Sequence, residues 1–375
     1  MESAEALPAP IVDTSDLEGL AGRAGPFLSV ELLTEGAVER AARRVEQRWR
    51  TLRAELAGRG VPETILASVD PAVPGAHQHG DCLAVVATGE GVGLVAHGHA
   101  PRGEDAAWWE PVPRLQTVLA WRQAAPPYVV VVVDRTGADL FAFRSGEPGR
   151  SERVQGDHDV IQKVSAGGWS QRRYQERAED SWEHNADQVA AAVSKLVEEI
   201  EPRLVIALGD VRAVHLLARA LPKTMAERLR IIEREPRRDG KLTEVPDDVH
   251  TLVDDLVRDE TVRLLEKWLE ELGQADRACE GVAATAQALG RAQVEALLLA
   301  DVPGDHRTLW IGPEPQLLST DEGALRLLGV AAPTRAPARD ALVRAAVGTG
   351  AGVRMLDPEA AGLPRDGVGA LLRWS

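Results

Sequence analysis

The fold of this chain is decided by the stretch YVVVVVDRTGADLFAFR, residues 128–144. Residues 128–133 form an uninterrupted apolar run rich in β-branched side chains, which is typical of a strand buried on both faces of a sheet. A polar turn at 134–137 follows, and residues 138–144 alternate in character as the partner strand of a hairpin does. The stretch therefore predicts a β-hairpin whose first strand lies in the centre of a sheet.

The residues after the hairpin alternate between helix and strand patterns. Residues 172–200 carry apolar side chains at three- and four-residue steps, which predicts one long helix that ends before Pro202. Residues 204–208 form a second buried strand, and Gly209-Asp210 then opens a helix that runs to Leu221. Strands that alternate with helices indicate a layered α/β domain.

The N-terminal part of the chain has its own pattern of elements. We predict an amphipathic helix over 34–56, strands at 82–88 and 91–97, and an irregular connection over 101–127.

The C-terminal part follows a predicted linker at 234–241. We predict helices over 247–272, 275–288 and 293–300, and strands at 308–311 and 369–374. The expected architecture is an α/β protein of three domains: an N-terminal α+β domain (1–125), a middle domain (126–245) and a C-terminal domain (246–375).

The charge of the chain is uneven along its length. The net charge is −15, from 43 Lys and Arg against 58 Asp and Glu, which argues against a general DNA or RNA binder. Residues 126–245 hold 19 basic and 20 acidic side chains and are thus nearly neutral, whereas both flanking parts are acidic. A contact with a polyanion is therefore expected in the middle of the chain.

Targeting and cysteine patterns point to the cytoplasm. The sequence contains no apolar stretch of about eighteen residues and no secretory signal pattern, so a soluble cytoplasmic protein without a membrane partner is expected. Cys82 and Cys279 lie far apart, which argues against a disulfide framework or a cysteine zinc site.

The most unusual local sequence is SAGGWSQRRYQER, residues 165–177. Gly167 and Gly168 allow the backbone to approach a ligand closely, and Ser170 is suited to capping the following helix. Arg172, Arg173 and Arg177 open that helix, where an anion would relieve the conflict between positive charge and the helix dipole; Trp169 is suited to stacking on a nucleobase.

This segment resembles the Gly-Gly-Gln-Ser-x-x-Arg-Phe loop and helix start of archaeo-eukaryotic peptide-chain release factors. It is most similar to the bacterial branch of the release factor and Pelota superfamily, which includes Balon-type ribosome hibernation factors and peptidyl-tRNA hydrolases. The resemblance covers residues 126–375, and it implies an RNase-H-like middle domain and an L30e-like C-terminal α/β domain. Residues 289–299 and 366–373 carry the C-terminal part of the likeness.

The resemblance also implies a function and a set of site residues. It implies a tRNA-mimicking factor that binds ribosomal RNA at the A site, reaches towards the peptidyl-transferase centre, takes part in a stress response and is delivered by elongation factor Tu, with no cofactor and with neither DNA nor membrane as partner. The implied catalytic residues are Gly167, Gly168 and Gln171. The implied RNA-binding residues are Trp169, Ser170, Arg172, Arg173 and Arg177.

Two functions compete within this resemblance. A hibernation factor would occupy idle ribosomes and catalyse nothing, whereas a codon-independent peptidyl-tRNA hydrolase or rescue factor would cleave the peptidyl ester. The double glycine favours the hydrolase, because it would place a water and stabilise the developing oxyanion. Trp169 stands where release factors have Gln, and Gln171 lies two residues later, which favours the binding protein.

Simpler and unrelated interpretations remain open for several of these residues. The double glycine is also explained by a flexible turn, the arginines by a solvated helix face, and Trp182 by the protein core. Asp134 could belong to a metal-dependent RNase-H-like nuclease, although a hairpin turn explains it equally well. Two pairs of histidines suggest a metal site without a supporting carboxylate, and the glycines at 89, 91 and 93 precede a strand and so fail as a dinucleotide loop. The two pairs are His77 with His79 and His97 with His99.

Overall fold

The structure is a computed structural model that describes residues 12, 14–34, 41–98, 104–134, 137–144, 147–155, 168–225, 227–233, 246–300, 302 and 304–375. For residues 147–153, 155 and 168–182 it describes the backbone alone. Within these ranges, none of the helices combines the length and the apolar character that a membrane span requires.

The chain divides into two compact units. One unit combines Met1–Ala124 with Val257–Ser375, and the other consists of Ala125–Leu256. The predicted division into three domains stays a prediction.

The N-terminal part of the first unit is an antiparallel sheet in the order β3-β2-β1-β4. Its strands are β1 (Phe27–Leu33), β2 (Cys82–Thr88), β3 (Gly91–Gly98) and β4 (Ala106–Glu110), and its helices are α1 (Glu18–Ala21), α2 (Ala41–Gly58), α3 (Glu63–Val69) and α4 (Gln116–Ala124). Helices α2 and α3 cover one face through a core that includes Val30, Trp49 and Leu66. The strands predicted at 82–88 and 91–97 are confirmed, and the predicted helix over 34–56 corresponds to α2, although residues 35–40 lie outside the described residues.

The irregular connection predicted over 101–127 is wrong. The structure has β4 and α4 there. The prolines and tryptophans of this segment hide its hydrophobic periodicity. In addition, β4 pairs with β1 across some eighty residues of chain, so its stability depends on a distant partner that a local pattern does not show.

The second unit is built on the predicted hairpin. Its elements are β5 (Tyr128–Val133), β6 (Gly137–Arg144), β7 (Glu147–Gln155), α5 (Gly168–Ile200), β8 (Leu204–Gly209), α6 (Val211–Ala220) and β9 (Leu229–Ile232). The sheet order is β7-β6-β5-β8-β9, with antiparallel pairs on the β7 side of β5 and parallel pairs on the β9 side. The predicted α/β class is confirmed, and this sheet is RNase-H-like.

The central position of β5 follows from its apolar run. Val129 and Val131 face α5 and α6, while Tyr128 and Val130 pack with residues of the next helix, α7 (Asp247–Gln274). Both faces of β5 are therefore buried, as the unbroken valine run predicts. Strand β7 is missing from the sequence-based interpretation, because its mostly polar residues lack an alternating pattern.

The C-terminal part of the first unit contains two sheets. Its remaining elements are β10 (Ala278–Glu280), α8 (Val282–Gly290), β11 (Val294–Ala300), β12 (Thr308–Ile311), β13 (Leu318–Ser319), α9 (Glu322–Leu327), β14 (Thr334–Pro337), α10 (Ala338–Gly348), β15 (Gly352–Leu356) and β16 (Val368–Leu372). The mixed sheet has the order β10-β16-β11-β15, and the small antiparallel sheet has the order β13-β12-β14. Together with its helices, the mixed sheet gives the C-terminal part the expected α/β character.

The helix predicted over 293–300 is wrong, because this segment is strand β11. Leu, Ala and Glu favour helices when isolated, but here Leu297 and Leu298 are fully buried between β15 and β16. Tertiary packing has overridden local propensity.

One continuous hydrophobic core joins the two parts of the first unit. Phe27, Val86 and Leu119 from the N-terminal part pack in the same cluster as Leu297 and Leu342 from the C-terminal part. This shared core explains why residues up to 124 and from 257 onwards form one unit.

Candidate functional site

The carboxyl ends of β5 and β8 meet at a tight backbone contact. The amide of Asp210 donates to the carbonyl oxygen of Val133 at 3.1 Å, and the Asp210 carboxylate accepts from the amides of Arg212 and Ala213, which caps α6. Gly209 has φ of +136°, and a Cβ atom at that position would collide with the same Val133 oxygen. Glycine is therefore required at the end of β8.

Asp134 holds the turn of the β5–β6 hairpin. Its Oδ1 accepts from the amide of Gly137 at 3.0 Å, and its own amide donates to the Gly137 carbonyl at 2.9 Å. This is the hairpin-turn role that sequence analysis offered as the alternative to a nuclease. Over the ranges that the structure describes, no three or more His, Cys, Asp or Glu side chains gather in a group that could bind a metal ion.

Helix α5 divides into a packed half and a half that continues past the sheet. Ala186, Val189 and Val193 are buried against the strands, and Asn185 and Ala186 line the same small cavity as Val133 at the carboxyl end of β5. Between Gly168 and Asn185 the helix runs for about 25 Å at 1.5 Å per residue. The start of α5 therefore lies about 25 Å along the helix axis from the strand ends.

The predicted site residues are found at this start of α5. The helix begins at Gly168, four residues earlier than predicted, so Trp169 and Ser170 are helical and do not occupy a loop. Gly167 lies outside the described residues, so its role in the predicted loop stays a prediction.

The helical register arranges the predicted residues around the axis. Positions 169, 173 and 177 are four residues apart and fall along one face of α5. Position 171 lies about 200° around the axis from position 169. The register thus brings the Trp169, Arg173 and Arg177 positions together and separates Gln171 from them.

The histidine pairs form a partial cluster elsewhere. The rings of His79 and His97 have centroids 5.0 Å apart, and burial, together with the charge of His79, lowers the pKa of His97. His99 lies outside the described residues.

Sequence analysis missed the buried charged residues of α10. Arg339, Asp340 and Arg344 are between 3% and 7% exposed, and their partners come from segments far away in sequence. A local pattern carries no signal for such residues, because their burial depends on contacts across more than 200 residues of chain for Asp340 and more than 300 for Arg344.

The middle of the chain is similar to a known protein family. Residues 127–274 match the sequence model of bacterial archaeo-eukaryotic release factor family 2. Uncharacterized proteins from two strains of Mycobacterium tuberculosis are 28% identical over 366 residues, which is 96% of this chain and 96% of each relative.

Solved structures that are similar to this chain include Pelota proteins and a termination-like factor. A ribosome-bound archaeal Pelota, from a model that also contains ABCE1, is 15% identical with a TM-score of 0.43, and the match covers 96% of this chain and 94% of Pelota. Saccharomyces cerevisiae Dom34, a termination-like factor of RNA quality control that interacts with Hbs1, is 10% identical with a TM-score of 0.37 over 66% of this chain and 63% of Dom34. Archaeoglobus fulgidus Pelota is 13% identical with a TM-score of 0.32 over 97% and 93% of the two chains.

All three TM-scores are below 0.5, so the similarity to release factors depends on the sequence match. That match contains the RNase-H-like sheet, the whole of α5 and the residues from Gly167 to Arg177. Over residues 127–274, this chain is therefore similar to the bacterial archaeo-eukaryotic release factor family 2.

Proposed function

We propose that this protein is a ribosome-binding, release-factor-like translation factor that occupies the A site of idle ribosomes and hibernates them. The start of α5 would reach towards the peptidyl-transferase centre. The observation that carries the proposal is the family match over residues 127–274, which includes the segment that release factors use. The ribosome-bound state of archaeal Pelota supports it by analogy of fold.

The residues at the start of α5 suit an RNA-lined site. Arg173 and Arg177 supply guanidinium groups that pair with phosphates, and Trp169, on the same helical face, supplies a ring on which a base can stack. This part of the chain is nearly neutral in a protein of net charge −15, so it meets less repulsion from RNA than either flanking part.

The competing function is hydrolysis of peptidyl-tRNA. Gly167 and Gly168 favour it, because glycine lets backbone amides approach the ester closely. The helical register counts against it, since Gln171 does not share the face of Trp169, which stands at the position of the release factor glutamine. We therefore favour the binding protein over the enzyme.

Sedimentation with 70S ribosomes from starved cells tests the proposal. The wild-type protein should pellet with ribosomes, and the variant Trp169→Ala/Arg173→Glu/Arg177→Glu should remain in the supernatant. The matched control is Arg43→Glu/Arg50→Glu, which makes the same charge reversals at exposed positions of α2 and should leave binding unchanged. Each phosphate contact that is lost should also lower the slope of log K against log salt by about 1.

A single-turnover release assay separates the two functions. Binding without release of labelled peptide from stalled ribosomes supports hibernation, whereas release that Gly168→Ala abolishes supports the hydrolase. Addition of elongation factor Tu with GTP to the same reactions tests delivery, which should raise the rate of binding. Equal pelleting of the wild type and the triple variant would contradict the proposed site.

A further inference from the structure

A cavity of about 690 Å³ opens within the first unit. One wall comes from residues 24–26 and Pro111 of the N-terminal part, and the other comes from residues 311–314, 317, 328–332 and 334 of the C-terminal part. The volume lies in the range of pockets that hold small organic ligands.

A buried cation lines this cavity. Arg344 of α10 is only 3% exposed. Its Nε donates to the carbonyl oxygen of Ala21 at 2.8 Å, its Nη1 to that of Gly312 at 3.2 Å, and its Nη2 to that of Pro313. The guanidinium therefore bonds to the backbone of both parts of the first unit, and Arg344 lines the cavity.

The charge of Arg344 is not neutralised by a direct ion pair. Throughout the described residues, no carboxylate lies within 4.0 Å of its guanidinium, and its three hydrogen-bond acceptors are neutral carbonyls. Burial lowers the pKa of Arg344, while the more distant charge of Glu314 raises it. A buried cation without an anion is costly, so an anion at this place would be stabilised.

The guanidinium also keeps donors available. It has five N–H bonds, and three of them are used by the carbonyls of Ala21, Gly312 and Pro313. One N–H on each of Nη1 and Nη2 remains. These two charged donors can bond to the oxygens of a carboxylate.

The remaining walls are mainly apolar. Ile311, Leu317 and Val330 line the cavity, and Leu328 stands at its mouth with 70% of its surface exposed. Glu314, an exposed residue of the same wall, repels negative charge, and this repulsion disfavours a dianionic ligand more than a monoanionic one. The site therefore selects a single anionic head on an apolar body.

We propose that this cavity binds a small amphiphilic monocarboxylate, with its carboxylate on the free N–H groups of Arg344 and its hydrocarbon chain against Ile311, Leu317 and Leu328. The charge complementarity between an unpaired buried guanidinium and a carboxylate selects this class of ligand. The proposal is independent of ribosome binding, because it involves only residues of the first unit.

Isothermal titration of the full chain with octanoate tests the proposal. We expect one saturable site with Kd of about 1 mM. This value follows because octanoate has about ten non-hydrogen atoms and each contributes a moderate binding free energy. The neutral probe 1-octanol, which has the same chain length, should bind at least about tenfold more weakly, because it cannot form the charge-assisted bonds. Equal binding of the two probes, or no saturable heat with octanoate, would overturn the proposal.

Two variants locate the binding site. Ala332→Trp fills the mouth of the cavity without touching Arg344 and should abolish octanoate binding, whereas the control Ala361→Trp, at an exposed position outside the cavity lining, should leave it unchanged. Arg344→Lys should weaken octanoate about tenfold and octanol little, since lysine lacks the planar pair of donors. If Arg344→Lys does not fold, Ala332→Trp still decides, and octanoate binding that survives it would exclude this cavity.

Discussion

The side-chain amide of Gln123 pairs with the backbone of Met355 as an additional strand would. Its Nε2 donates to the Met355 carbonyl at 2.8 Å, and its Oε1 accepts from the Met355 amide at 2.9 Å. Met355 lies in β15, the edge strand of the C-terminal mixed sheet, and Gln123 lies near the end of α4. At the start of the same helix, Gln116 donates to the Asp340 carboxylate at 2.7 Å. Helix α4 is thus tied to the C-terminal part at both ends.

Removal of the Gln123 amide should weaken this connection. Gln123→Leu leaves the amide and carbonyl of Met355 without these partners, and we expect the free energy of unfolding to fall by about 1 to 3 kcal/mol. Urea denaturation followed by circular dichroism measures the change. The control Gln274→Leu removes an exposed amide whose acceptor is Glu270, and it should change stability by less than about 0.5 kcal/mol. Equal effects of the two substitutions would show that the Met355 pairing is unimportant.

Gly209 should not tolerate a side chain. Its φ of +136° and the nearby Val133 carbonyl leave no room for a Cβ atom, so Gly209→Ala should destabilise the second unit by about 3 kcal/mol or more. Gly273→Ala is the matched control, because its Cβ would meet nothing within 4 Å on helix α7. That substitution should be neutral or stabilising by up to about 1 kcal/mol. Thermal unfolding compares the two, and a stable Gly209→Ala protein would contradict the close contact.

Substitution of Asp134 distinguishes a role in the hairpin turn from a role in a metal-dependent nuclease. Asp134→Ala should cost about 1 kcal/mol of stability, because the Gly137 amide loses its acceptor, and Asp134→Asn should cost less, because an amide oxygen can replace the carboxylate oxygen. We also expect no cleavage of naked RNA in the presence of Mg²⁺ by the wild-type protein. RNA cleavage that disappears in Asp134→Asn would instead establish the nuclease.

Asp340 should make the stability of the first unit depend on pH. Burial raises the pKa of Asp340, which is 4% exposed, above its ordinary value. The folded state therefore binds this proton more tightly than the unfolded state, and the contribution of Asp340 to stability falls as pH rises from about 4 through its raised pKa. As pH rises through this range, the free energy of unfolding of the wild type should fall relative to that of Asp340→Asn. If the free energies of unfolding of the wild type and Asp340→Asn change in parallel with pH, the raised pKa of Asp340 is refuted. Asp357→Asn, at an exposed position, serves as the control.

Much of the second unit was predictable because its signals are local. The valine run is buried on both faces, as in a central strand. The apolar residues at helical spacing predicted α5, and Gly209-Asp210 marked the start of α6, where Asp210 is the N-cap. β7 and β9 were not predicted, since short or polar edge strands are defined by the neighbours with which they pair.

The residues of the candidate site were predicted from the sequence, but their positions around the helix axis were not. The segment 167–177 was recognisable by its two glycines, its tryptophan and its three arginines. Only the start of α5 at Gly168 showed that positions 169, 173 and 177 share a face and that position 171 does not. The helix begins four residues earlier than predicted, and this earlier start includes position 169 in the same helical register as positions 173 and 177.

The sequence by itself determined the α/β class, the central hairpin and the identity of the residues proposed to meet RNA. The tertiary structure decided that residues 293–300 form a strand, that α4 joins two parts of the chain more than 200 residues apart, and that Arg344 lies buried beside a cavity. Hydrophobic periodicity is a property of residues that are close in sequence, so it can be read directly from the chain. The burial of a charge and the pairing of an edge strand depend on partners that come together only when the chain folds.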